Sequence, residues 1–176
     1  MEESVIEAVR KEVVINTAQS RAFDLFTGDI GRWWPASHHI GRNPYETAII
    51  EPAAGGRWYE VATNGAQCNW GTVLAWEPPA RVLLSWNIGL DWQFNPDMTR
   101  ASEVEVRFTA LGDSQTRVEL VHRHFDRHGE GWQTMRDNTD TAGGWLRVLE
   151  DFKAHVESDA HANHSGAGEA LRESAG

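Results

Sequence analysis

From Thr47 to His124 the chain repeats one pattern, short β-rich stretches separated by turn residues, and this succession narrows the available folds more than any other feature. Thr47–Glu51 runs into Pro52-Ala53-Ala54-Gly55-Gly56. Arg57–Ala62 runs into the hairpin signal Asn64-Gly65, and Gln67–Trp76 into Glu77-Pro78-Pro79-Ala80. Arg81–Asn87 leads to an irregular link over 88–101. Ser102–Ala110 then sets Val104, Val106 and Phe108 against Glu103, Glu105 and Arg107. After Gly112-Asp113-Ser114, Gln115–His124 sets Val118, Leu120 and His122 against Arg117, Glu119 and Arg123. Period-two alternation with one apolar face predicts an antiparallel meander covered on one side.

The flanks supply the cover. Residues 5–15 read as a first strand, with Val5, Val9, Val13 and Ile15 on one face and Glu7 and Lys11 between them. Thr17 or Ser20 is placed to cap a short helix carrying Ala22, Phe23, Leu25 and Phe26, which ends near Thr27-Gly28. A second short helix over 29–34 is closed by Pro35. From about Trp132 to Ser158 the period becomes helical, with Ala142, Trp145, Leu146, Leu149, Phe152 and Val156 in one stripe. Gly143-Gly144 inside it is costly for a helix and points to close packing, a kink or room for a ligand. The expected fold is therefore α+β: a curved antiparallel sheet of six to seven strands around a long C-terminal helix, with two short helices after the first strand. Residues 1–158 form one domain, and 159–176, nearly free of large apolar groups, read as a disordered tail.

Composition excludes several function classes. A net charge of −10 argues against a nucleic-acid surface. The acidic start lacks a signal peptide's apolar core, and no stretch is long and apolar enough to span a bilayer, so the expected address is the cytoplasm. The single cysteine, Cys68, makes no intrachain disulfide and reads as a small buried hydrophobe. Neither a GxGxxG nor a P-loop is present, and no cofactor is expected. His38-His39 with Asp126 and His128 lacks metal-ligand spacing, so no metal is expected either.

Taken together, several pieces resemble a known family. They are the opening strand into Ala18-Gln19-Ser20-Arg21-Ala22-Phe23, the Trp33-Trp34 pair, and Gly71-Thr72-Val73-Leu74-Ala75-Trp76-Glu77-Pro78-Pro79. Leu83-Leu84-Ser85-Trp86, Val118-Glu119-Leu120-Val121-His122 and Gly144-Trp145-Leu146-Arg147-Val148-Leu149 complete the set. Their order resembles the START-like (SRPBCC) superfamily, and within it the family of C-terminal-like homologues of the activator of heat-shock-protein-90 ATPase. The resemblance implies a helix-grip fold with a cavity between sheet and helix, hosting an apolar ligand in some relatives and cyclase or hydrolase chemistry in others.

Nine tryptophans fit such a cavity, though a Trp-rich core is the competing reading. The expected ligand-binding residues are Trp33, Trp34, Trp58, Trp76, Trp86, Phe108, His122, Trp132 and Trp145, around a small hydrophobic or amphipathic ligand. His122 and His124 share a strand face. His122 is thus a pocket anchor or proton donor, or else a core histidine bonded to a backbone carbonyl. Arg57 with Glu60, and Arg136 with Asp137 and Asp140, form a headgroup site or simply solvated charge. Trp92 and Phe94 form a lid or a partner-binding patch. Two further function classes stand beside ligand binding. One is an enzyme using His122 with a carboxylate. The other is a chaperone-accessory or self-associating domain with an exposed patch around Trp33, Trp34 or Trp92.

Overall fold

The computed structural model describes residues 8–158. A seven-stranded antiparallel sheet, in the order β1-β7-β6-β5-β4-β3-β2, curls around a C-terminal helix. The strands are β1 (Val9–Ile15), β2 (Tyr45–Ile50), β3 (Arg57–Ala62), β4 (Gln67–Glu77), β5 (Arg81–Trp86), β6 (Ser102–Gly112) and β7 (Gln115–Arg123). Helices α1 (Gln19–Gly28) and α2 (Ile30–Trp33) carry the chain from one edge of the sheet to the other. Val5, Glu7 and the tail over 159–176 lie outside the described residues.

Alternation builds the two faces of the sheet as the sequence predicts. Val104, Val106, Phe108, Val118 and Leu120 are buried on the concave side. On the convex side Glu105 is held by Arg81, Arg107 and Arg123, and Glu103 by Arg123 and Arg127. Burial acts to raise the Glu105 pKa, but its arginine partners outweigh that and hold it at about 2. Lys11, in the odd-numbered row of β1 with Val9 and Ile15, pairs with Asp140 at 2.9 Å.

Three local expectations are corrected. The first helix is capped by Ala18 rather than by a side chain of Thr17 or Ser20. Its start follows from seating Ala22, Phe23, Leu25 and Phe26 in the core, and the Thr17 carbonyl instead accepts from Thr116 Oγ1. The long terminal helix is two helices, α3 (Trp132–Asp140) and α4 over 145–158, separated by 141–144. Thr141 is extended, and a Cβ at Gly144 would sit 2.2 Å from the Thr139 carbonyl oxygen, so the chain turns where only glycine fits. Ala142 is consequently exposed at the break and not part of the apolar stripe, while Leu149, Phe152 and Val156 are fully buried.

Strand β4 holds two bulges. Trp58 pairs with Gly71 but Tyr59 with Asn69, leaving Trp70 as the extra residue. Val73 pairs with Leu84 but Ala75 with Leu83, leaving Leu74 as the extra residue. Each bulge shifts the parity by one. Trp70, Val73 and Trp76 therefore share the concave side, while Leu74 is exposed. Gly71 is required here. A Cβ would meet the Ser85 carbonyl at 1.9 Å and the Trp58 indole nitrogen at 2.5 Å, and that nitrogen donates to the Ser85 carbonyl at 2.7 Å.

Candidate functional site

Six indoles gather between the sheet and α4. Trp34 is the hub, with ring centroids 4.9 Å from Trp70 and 6.0 Å from both Trp33 and Trp145. Trp58 lies 5.2 Å from Trp70 and 5.6 Å from Trp86, and Trp86 lies 6.0 Å from Trp145. A buried indole N–H needs an acceptor. Trp33 donates to the Leu25 carbonyl, Trp34 to the His38 carbonyl, Trp58 to the Ser85 carbonyl, Trp70 to Glu60 and Trp145 to His122. The Trp86 N–H is buried without a hydrogen-bond partner.

The Trp86 ring borders a cavity of about 300 Å³. Trp34, Trp86, Trp145 and Val148 form its apolar wall, Trp92 its outer wall, and Gly143-Gly144 its edge at the break between α3 and α4. His38, His39, Asn138 and Thr139 supply the polar groups. The break opens the cavity, because 141–144 does not continue the helix across it. His38 Nε2 ties down this segment by bonding the Gly143 carbonyl at 2.6 Å. Trp92, 43% exposed and at φ 60°, sits in a small hairpin made by the Ile88–Phe94 bridge. It also borders a second cavity, of about 520 Å³, lined by Glu60 and Cys68.

Several sequence candidates lie elsewhere. Trp33, Trp58 and Phe108 are fully packed core. Trp76 packs edge-on against Phe23 at 5.0 Å, and Trp132 is half-buried against the core from α3. None of these five borders the cavities described. Trp33 and Trp34 are buried, so neither forms an exposed patch. Arg57 and Glu60 point to opposite faces: Arg57 stacks 4.0 Å over Tyr59, and Glu60 is 1% exposed. Among the described residues no group of three or more His, Cys, Asp or Glu side chains could hold a metal ion.

His122 is fully buried behind Trp145, with both ring nitrogens occupied. Indole N–H only donates, so Nδ1 of His122 accepts from Trp145 at 2.9 Å, and in the neutral ring Nε2–H donates to Ser102 Oγ at 2.7 Å. The Ser102 hydroxyl then donates to His128 Nε2 at 2.7 Å. Burial, then the neighbouring His128, pushes the His122 pKa well down. Burial, then Arg100, pushes His128 down to about 4. Both rings are therefore neutral at pH 7. His122 is a satisfied core histidine whose partners are side chains rather than a backbone carbonyl, and it has no free atom to offer a ligand. His124 leaves its face by adopting φ 67° at the end of β7.

Trp70 is absent from the expected ligand-binding residues, His39 enters the sequence reading only as a candidate metal ligand, and no sequence pattern points to the Ser102–His128 link. For Glu60 a signal existed: it falls in the same alternation as Trp58 and Ala62, on an apolar face. The loop position of His39 carried none.

A curled antiparallel sheet gripping a C-terminal helix places the chain in the helix-grip class of α+β proteins. Within that class the chain belongs to the family described as activator of Hsp90 ATPase homolog 1-like proteins, whose profile matches residues 16–157. Among solved structures, an anthrahydroquino-γ-pyrone synthase, Txn09, is 38% identical, with a TM-score of 0.60, over 84% of this chain and 95% of its own. The self-sacrificing resistance protein CalC from Micromonospora echinospora is 27% identical, with a TM-score of 0.64, over 86% and 95%. Protein MLL2253 from Mesorhizobium loti, at 18% identity and a TM-score of 0.61 over 86% and 97%, shares the fold. No curated protein matches the chain. Among the described residues no helix is long and apolar enough to cross a membrane.

Proposed function

We propose that this protein binds a small, flat, largely aromatic ligand in the cavity between Trp34, Trp86, Trp145 and Trp92. The observation that carries the reading is the Trp86 indole N–H. It is the one donor of the six clustered indoles left without a partner, on a ring that borders the apolar cavity. An unsatisfied buried donor costs about 1–3 kcal/mol, and a ligand carbonyl or ether oxygen reaching it would recover that cost. Indole faces stack well on planar rings, and the cavity offers few polar groups, which suits an apolar body carrying one or two oxygens. The 38%-identical neighbour is a synthase of an anthrahydroquino-γ-pyrone, which supports a polycyclic aromatic ligand of that oxygenated kind.

Titrating purified protein with a hydroxyanthraquinone while following tryptophan fluorescence tests the reading. Saturable quenching is expected, weakened roughly tenfold in Trp86→Phe, as loss of one buried hydrogen bond implies. No saturable quenching by planar aromatic compounds would overturn it.

A further inference from the structure

We infer that His39 exchanges a proton with the bound ligand and that Glu60 is its positioning residue, so the ligand is an aromatic molecule carrying an acidic hydroxyl. This rests on the ligand-binding reading above.

Glu60 sits on β3 in the row of Trp58 and Ala62 and is 1% exposed. Three donors converge on a single oxygen: the Ile40 and Gly41 backbone N–H groups and Trp70 Nε1 all bond Oε1. The other oxygen, Oε2, is buried and has no hydrogen-bond partner. Facing it at 3.5 Å is Nδ1 of His39, itself buried and without a hydrogen-bond partner. Two unmet polar atoms thus confront each other just beyond a good hydrogen-bond length. Catalytic pairs commonly stand this way before a ligand closes the site. His39 borders the indole-walled cavity, and Glu60 borders the second cavity beside it, so the pair crosses the wall between them.

The two nitrogens of an imidazole lie on opposite edges of the ring. A carboxylate that fixes Nδ1–H makes Nε2 the acceptor, pointing away from the carboxylate. In the exchange, the ligand's O–H bond breaks and an Nε2–H bond forms. The electron pair stays on the ligand oxygen, and the imidazolium charge lies beside Glu60. The reverse step returns the proton, so nothing else is consumed.

Neighbouring groups do not compete for the role. Tyr45, from β2, has its ring 6.4 Å from His39, and burial and the Glu60 charge push its pKa up to about 12. Cys68, from β4, is raised by the same two causes. His38 is engaged at both nitrogens, by Ser37 and by the Gly143 carbonyl. Arg42 and Asp91 border the second cavity and not the indole-walled one.

The test is the absorption spectrum of bound 1,2-dihydroxyanthraquinone, whose colour reports loss of its hydroxyl proton, titrated from about pH 5 to 9, the range over which histidine acts. The bound dye is expected to ionise at least about one pH unit lower in the wild type than in His39→Gln or Glu60→Gln, the scale of a single charged partner. Should Glu60→Gln not fold, ring nitrogen shifts of wild-type His39 decide its part. An Nδ1–H tautomer is expected, and an Nε2–H tautomer overturns the positioning role. If the dye binds all forms and ionises at the same pH, the inference falls while the ligand reading stands. If the wild type takes up no dye, both fall.

Discussion

The indole N–H of Trp145, the first residue of α4, donates to Nδ1 of His122 on β7 at 2.9 Å. This bond joins the terminal helix to the sheet floor at the point where the helix break opens the cavity. It also fixes the tautomer of His122 and so the direction of the chain through Ser102 to His128. One wall of the cavity is thereby held from beneath by polar contacts rather than by apolar packing alone.

Trp145→Phe keeps an aromatic ring, though a smaller one, and removes the donor, leaving a buried imidazole nitrogen unmet. A loss of about 1–3 kcal/mol is expected. Urea denaturation measures it, with an unchanged slope showing that the fold is retained.

Stability should fall on mild acidification. The folded-state pKa of His128 lies near 4, below its ordinary 6.5, and that of His122 is lowered too, so the unfolded chain binds protons first. The histidine contribution is complete above about pH 6.5 and is lost as the pH falls toward 4, with His128 contributing on the order of 3 kcal/mol. Glu105 adds a second loss below about pH 4.5, since its folded pKa of about 2 lies beneath its unfolded value. Denaturation midpoints across pH, for wild type and for His128→Asn, check this. The variant should lose the slope between about pH 6.5 and 4 that His128 supplies.

The two neighbouring glycines should behave differently. A Cβ on Gly144 meets the Thr139 carbonyl oxygen at 2.2 Å and its Cα at 2.8 Å, so Gly144→Ala should cost more than about 2 kcal/mol, as overpacking against backbone does. A Cβ on Gly143 meets nothing within 4 Å, so Gly143→Ala should stay within about 0.5 kcal/mol of wild type. Thermal melts of the two variants, side by side, separate these outcomes.

Trp86→Phe should uncouple stability from binding. The smaller ring leaves a gap, but losing an unsatisfied buried donor offsets part of that cost, so Trp86→Phe should lose less stability than Trp145→Phe, while ligand affinity drops. A melting curve and a ligand titration on the same sample report both.

The sheet was largely legible in the sequence because its rule is local. Arg57–Ala62 matches β3 at both ends, β2 and β4 to β7 differ by a residue or two, and β1 ends at Ile15 as expected but begins at Val9 rather than Val5. The orientation of the tryptophans was not, because two one-residue bulges in β4 return Trp76 to the concave side after turning Leu74 out of it. The periodic stripe of 132–158 reads as one helix across its interruption; Gly143-Gly144 marks the place, with a kink among its readings, but nothing local shows that the helix ends there. His122 was visible as a histidine on an apolar face, but its partners come from a distant helix and from Ser102, which no local pattern connects. His39 and Glu60 meet only through tertiary structure, 21 positions apart on a loop and a strand.

The most direct measurement is the set of tryptophan indole N–H signals in a nitrogen–proton correlation spectrum, recorded while a planar hydroxyanthraquinone is added. The account predicts that the signals of Trp34, Trp86, Trp92 and Trp145 move together and saturate, Trp86 most of all, while Trp76 and Trp33 hold still. Movement confined to Trp76, or no movement at a concentration that saturates the dye's own signal, would contradict it.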